Sequence, residues 1–330
     1  MTKFEIITNA FKGNATEKRP LSLWQHFPEA DRTPESLAEK EIAFQKRFDL
    51  DLKKICFNGL FPVIDYGIEI ESYDPVSGAA RSTHTVIQTL EDWGTLEPVD
   101  PNDGELGKQV KAVSLISNYT ENIIPTMATV FSPVTVAAKL ASLDRFLKHL
   151  KTDPDPVFSA LRVLTRVVGE FAEACLDSGA NGIFFATQQA REDVFTLDEF
   201  RNFVMPFDLQ SITAFRRKAE FIVMHIHGHR IHFEEIAQRY PIQAINWHDQ
   251  ETPPTLADAQ KIFKGGLLGG LDSNGVVRKG NSNEARAKVS EALQKAGEAL
   301  PYLVIAPACV IPLDTPVENL DAIIKTVRGL

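Results

Sequence analysis

The sequence predicts an α/β protein in which residues 1–330 form one domain, a (β/α)8 barrel. Three observations carry that expectation. Eight short apolar runs alternate with longer stretches of helical periodicity, the order of parallel strands joined by crossover helices. Most of the runs are near-continuous in apolar residues, as suits strands whose outer face is covered by helices. An open doubly wound sheet is the competing arrangement, but no GxGxxG turn follows the first run to support a dinucleotide site.

The eight candidate strands span 21–25, 54–57, 125–131, 181–186, 221–227, 242–247, 267–271 and 303–307. The helices between them are punctuated at both ends. Asp155-Pro156 opens a long helix whose Leu161, Leu164, Val168, Phe171 and Ala172 recur at helical spacing, and Gly179 ends it. Thr196 followed three residues later by Glu199 is a capping-box pattern, and Thr315-Pro316-Val317-Glu318 repeats the design before the last helix. One segment departs from the alternation. Ile68 to Tyr73 alternates, turns through Asp74-Pro75-Val76-Ser77-Gly78, and alternates again from Arg81 to Val86, which predicts a β-hairpin excursion after strand two.

Composition narrows the class of function. The chain is 44% hydrophobic and 24% charged, with a formal net charge of -9, so no broad basic face is available to neutralise phosphates, and nucleic acid is an unfavoured partner. Cys56, Cys175 and Cys309 form no CxxC pair, which fits a reducing compartment, with the cytoplasm as the expected location. The first residues carry charge too early for a secretory signal, and no apolar stretch reaches the length of a membrane span.

The most informative residues are His225 and His227, at the end of an apolar run, and Cys309, after the last one. Side chains at i and i+2 of a strand share a face, so both imidazoles can converge on one ion while Ile226 packs behind them. Imidazole and thiolate are zinc ligands, and three protein ligands with an open fourth position describe a catalytic metal site. Other polar residues fall at strand ends, on the rim where barrels of this class assemble active sites. Trp24 and His26 close strand one, Gln188 and Gln189 follow strand four, Trp247, His248 and Asp249 close strand six, and Asp272 follows strand seven. His248, Asp249 and Asp272 are the candidate proton carriers. Trp24, His26, Gln188, Gln189 and Trp247 are the candidate substrate contacts.

Several segments together resemble a known family. They are Val223-Met224-His225-Ile226-His227-Gly228, Ile245-Asn246-Trp247, Gly269-Gly270-Leu271-Asp272, Ala306-Pro307-Ala308-Cys309-Val310-Ile311-Pro312, and the stretch from Asp314 to Leu320. They look like the uroporphyrinogen decarboxylase family in the wide sense, from about Leu21 to Arg328 and most densely after Asp155. That family holds tetrapyrrole decarboxylases and zinc-dependent methyltransferases that take a methyl group from a corrinoid protein. The decarboxylases carry an arginine-rich segment near the start and an Asp after strand two. Here those places read Leu23-Trp24-Gln25-His26-Phe27-Pro28-Glu29-Ala30-Asp31-Arg32 and Cys56-Phe57-Asn58-Gly59-Leu60, and both features are missing. Without bidentate cations, a site for several carboxylates is disfavoured.

The methyltransferase branch shows H-x-C and a distant Cys as zinc ligands. His225 matches the first and Cys309 the last, while His227 stands where the middle Cys would be. The exchange keeps a zinc ligand, removes a thiolate and makes the ion a stronger Lewis acid. The resemblance thus implies a zinc-dependent methyltransferase that moves a methyl group between a corrinoid supplied by a partner protein, or another methylated donor, and a small acceptor activated by zinc; it also implies a homodimer. Two other readings stay open: a lyase on a tetrapyrrole or small carboxylate using His248, Asp249 and Asp272, and a non-enzymatic carrier of a tetrapyrrole or corrinoid.

Overall fold

A computed structural model describes residues 1–121 and 123–330. Its main sheet has seven parallel strands: β1 (Lys53–Ile55), β4 (Thr126–Phe131), β5 (Gly182–Thr187), β6 (Phe221–Ile226), β7 (Ala244–Trp247), β8 (Gly266–Leu271) and β9 (Leu303–Pro307), neighbours in that order. Between β1 and β4 in the chain, β2 (Ser72–Tyr73) and β3 (Ala80–Arg81) pair antiparallel over two residues each. The alternation read from Ile68 to Val86 thus forms a ladder only beside its turn. Each main-sheet strand is linked to the next by helix, the longest spanning Pro154–Asp177. This is the α/β order of a TIM-like barrel.

Strand one requires a correction. The segment 21–25 is no strand; Leu21 makes a single parallel bridge to Ile305 of β9. The segment nevertheless closes the sheet. Ser22 N donates to Ile305 O and Ile305 N to Pro20 O on one side, while Asp51 N donates to Leu21 O on the other. Side chains replace the missing ladder bonds: Leu21 N donates to Asp51 Oδ2 at 3.0 Å, and Ser22 Oγ to Leu52 O at 2.8 Å. The Asp51 carboxylate is fully buried and pairs with Lys18 at 2.9 Å and Arg328 at 2.7 Å, tying the segment to the C-terminal helix.

Strand parity divides the core in two. Phe221 and Val223 of β6 face the barrel interior with Trp24, Phe184 and Ala244, whereas Ile222, Met224 and Ile226 pack outward under the helices. The same parity operates on β1, where Lys53 points outward to a buried ion pair with Glu41 and Ile55 joins the outer layer, while Lys54 and Cys56 point inward. No helix is long and apolar enough to cross a membrane among the described residues.

Candidate metal centre and its cavity

His225 and His227 leave the C-terminal end of β6 on one face, as their spacing predicts, and Cys309 arrives from the loop after β9. The three ligand atoms lie within 4.8 Å of one another. Tetrahedral zinc with bonds of about 2.0 to 2.3 Å sets its ligand atoms roughly 3.5 Å apart, so modest side-chain movement suffices to bring these three around one ion. Gly228 follows immediately with φ +101, a turn a Cβ would obstruct by meeting Arg191 Cδ at 2.9 Å.

The imidazoles are oriented from behind. His225 Nδ1 lies 2.6 Å from Oδ1 of Asn246, its register partner on β7, and the ring stacks on Phe184 at 5.2 Å. Asn246 is fully buried and its amide donates to Leu268 O at 3.0 Å and Pro307 O at 3.1 Å, so its oxygen faces the ring as acceptor. Nδ1 of His225 therefore carries the proton, and Nε2 is left free toward Cys309. His227 Nδ1 lies 3.4 Å from His248 Nε2, and His248 Nδ1 lies 3.4 Å from Glu251.

Charge in the site follows its burial. Burial pulls His227 down to about 4, helped by the charges of Arg191 and Lys139, and burial also lowers His225 despite its hydrogen bond with Cys309. For Cys309, burial raises the thiol, but the hydrogen bond and charge of His225, the backbone N–H of Val310 and the charge of Lys54 together outweigh it and the net shift is downward. Neutral imidazoles and a thiol inclined to ionise are the protonation states that ligate zinc.

These groups sit on the wall of a cavity of about 270 Å³, also lined by Trp24, His26, Lys54, Phe131, Phe184, Lys139 and Gln188. A second cavity of about 300 Å³ adjoins it through Lys139, Gln188 and His227, and includes Gln189 and Arg191. His26 is drawn down to about 3, by burial first and then by the charge of Lys54. Trp24, His26 and Gln188 thus lie where substrate contacts were expected, with Gln189 in the adjoining cavity. Trp247 does not. It has the opposite parity to Asn246, is fully buried against Phe233 in the outer layer, and bonds Pro254 O through Nε1 at 3.0 Å.

The expected proton carriers are not brought together. Asp249 accepts the backbone N–H of Gly270 at 3.1 Å and the Gln250 amide at 2.6 Å, and burial raises it to about 6. It buttresses β8, where a Cβ on Gly269 would lie 2.7 Å from its carboxylate. Asp272 caps the next helical turn, accepting Gly275 N at 2.8 Å and Val276 N at 3.3 Å. Of the three, only His248 touches the cluster of His225, His227 and Cys309. Lys54, Lys139 and Asn246 were missed: Lys54 shares strand parity with Cys56, a signal available in the sequence, but a lone Lys on a strand reads first as exposed.

The uroporphyrinogen decarboxylase (URO-D) model matches residues 13–330. The chain belongs to the URO-D family. Within that family it is 20% identical to the methylcobamide:CoM methyltransferase MtbA of Methanosarcina acetivorans over 319 residues, 97% of this chain and 91% of that protein. It is 23% identical to MtaA of Methanosarcina barkeri, also a methylcobamide:CoM methyltransferase, over 303 residues, 90% and 85% of the two chains. Among solved structures, a methyltransferase from Methanosarcina mazei superposes with a TM-score of 0.85 at 21% identity, covering 100% of this URO-D chain and 99% of its own.

Proposed function

We propose that this protein is a methyltransferase that moves a methyl group from a corrinoid donor to a small acceptor, with zinc held by His225, His227 and Cys309. The observation that carries the reading is the convergence of those three ligand atoms on the wall of a cavity, in a chain whose curated relatives are methylcobamide:CoM methyltransferases. Zinc, when bound, supplies Lewis acidity that favours the deprotonated form of an acceptor at the open position.

The protein's own groups do the rest. Asn246 fixes the tautomer of His225, and His248 stands behind His227 with Glu251 beyond it, so the second imidazole has a proton partner leading outward. Trp24, Phe131 and Phe184 line the cavity with apolar surface that keeps the acceptor end dry. The relatives' names give a methylcobamide as donor, and a corrinoid held by a partner protein would serve as the donor here.

Decarboxylation receives no comparable support. No Asp, Glu or Arg lines the cavity among the described residues, and two of the three carboxylate-and-imidazole candidates for acid chemistry are engaged in backbone bonds elsewhere. The test is metal content together with turnover. Purified without a metal-binding tag, the protein should carry zinc near one equivalent and transfer methyl from methylcobalamin to a thiol, with chelation abolishing transfer. A fully folded protein that holds no zinc when supplied with it would defeat the reading.

A further inference from the structure

Beyond the first three ligands, a second group of donors meets on the rim. His248 and Glu251 belong to one tight turn after β7, in which Glu251 N donates to His248 O at 2.8 Å and Thr252 N to the same oxygen at 2.9 Å. His229 comes from the turn after β6, just past Gly228. Arg230 N donates to Thr252 Oγ1 at 3.2 Å and ties the two turns together.

One carboxylate oxygen is the meeting point. Glu251 Oε2 lies 3.4 Å from His248 Nδ1 and 4.0 Å from His229 Nε2, and no Lys or Arg pairs with Glu251 among the described residues. Ligand atoms around tetrahedral zinc stand roughly 3.5 Å apart, so this oxygen is near ligand spacing from both nitrogens. The His229 and His248 rings are 6.1 Å apart, against 5.8 Å for His225 and His227. His229 is the outer member, 63% exposed and with no hydrogen bond to hold its side chain among the described residues, so it can swing inward. His248 is the anchor. It is 7% exposed, and its buried Nδ1 finds no aligned hydrogen-bond partner among the described residues. Leaving a buried ring nitrogen unmatched costs free energy that a cation at this point would recover. The donor set lacks sulfur. Imidazole with carboxylate suits zinc, cobalt and nickel, whereas magnesium and calcium take oxygen ligands.

We infer that His229, His248 and Glu251 form a second divalent-metal site, which takes zinc, cobalt or nickel less tightly than the first and, when filled, closes the way outward from His227. A metal on Nδ1 of His248 places that ring's proton on Nε2, the atom that faces His227 Nδ1 at 3.4 Å. His248 then donates toward a ring from which it would otherwise accept, and Glu251 is held by the metal. That consequence rests on the reading of His227 as a ligand of the first metal; the rim site itself does not.

Cobalt(II), titrated into untagged full-length protein cleared of metal, reads the two sites apart, because among these ligands only Cys309 can give a thiolate-to-cobalt charge-transfer band. The first equivalent should raise that band, and the second only the visible d–d absorption. His229→Ala, at an exposed position, and Glu251→Gln should each weaken the second equivalent at least ten-fold and leave the band of the first; an excess of magnesium should displace neither. A wild-type protein that takes a single equivalent, at the charge-transfer site, would overturn the rim site, as would a second equivalent that both folded variants bind unchanged. A His229-dependent equivalent without any charge-transfer band would remove the metal reading of His225, His227 and Cys309 and leave the rim site standing. In the methyl-transfer assay, zinc beyond the first equivalent should slow the wild type and spare His229→Ala. Equal slowing of the two would overturn the closing of the way outward.

Discussion

Asn246 does more for the site than its neutral side chain suggests. One amide joins three strands: its oxygen faces His225 on β6, and its nitrogen reaches carbonyls of β8 and β9, the latter two residues before Cys309. Partners behind metal-bound histidines typically contribute 10- to 100-fold in metal affinity. Asn246→Ala should accordingly weaken zinc binding by about that factor in a competition titration, with the fold retained by circular dichroism. His227 offers a complementary test. His227→Cys restores the thiolate found in the methyltransferase branch and should keep one zinc, whereas His227→Ala should lose it, as read by elemental analysis. That His225 and His227 share a face was legible because strand parity is a rigid rule and both obey it. The same rule explains the misplacement of Trp247: one step along β7 from Asn246, it faces the opposite layer. The roles of Asp249 and Asp272 were not legible, because backbone N–H partners such as those of Gly270 and Gly275 leave no mark in a sequence.

Among the elements, the barrel seam is where sequence and structure part most. β4 to β9 follow the apolar runs closely, since each is buried on both faces and its residues have no alternative use. The segment 21–25 looks equally apolar, but one of its neighbours is the end of a short β1, and side chains take over the bonding. Whether a run forms a ladder depends on what lies beside it, which local pattern does not encode. Asp51 is the hinge of this arrangement: it accepts Leu21 N and neutralises Lys18 and Arg328 at once. Removing one member of a buried ion cluster destabilises by about 3 kcal/mol or more. Asp51→Ala should lower the denaturation midpoint by a matching amount, and amide exchange at Ser22 and Ile305 should accelerate ahead of exchange at Met224 in β6. Uniform acceleration of all three would show that the seam opens only with the whole barrel.

At the scale of the molecule, buried ionisable groups give the folding stability a defined pH profile. Asp208, on the helix Met205–Phe215, is fully buried and accepts from Tyr240 Oη at 3.0 Å; burial raises its carboxyl to about 8, with the hydrogen bond opposing. A carboxyl raised on folding releases its proton first in the unfolded chain. Its contribution is therefore complete below the ordinary value near 3.8 and is lost as pH climbs through about 8. His26 and His227 act oppositely: lowered to about 3 and about 4, they favour the folded state above their ordinary value of 6.5, and that stability is lost as pH falls toward the lowered values. The raised carboxyl and the lowered histidines therefore pull stability in opposite directions, giving an alkaline and an acid limb of separate origin, and Asp249, raised to about 6, adds to the alkaline trend below pH 6. Asp208→Asn removes only the Asp208 share of that trend. The difference between variant and wild-type unfolding free energies should change in the variant's favour from pH 5 to pH 8, by at most about 1.4 kcal/mol per pH unit, and level off above. The acid limb should persist in that variant, because both histidines remain. A difference independent of pH between 5 and 8 would mean that Asp208 is ionised in the folded barrel, with its charge met by a group other than Tyr240.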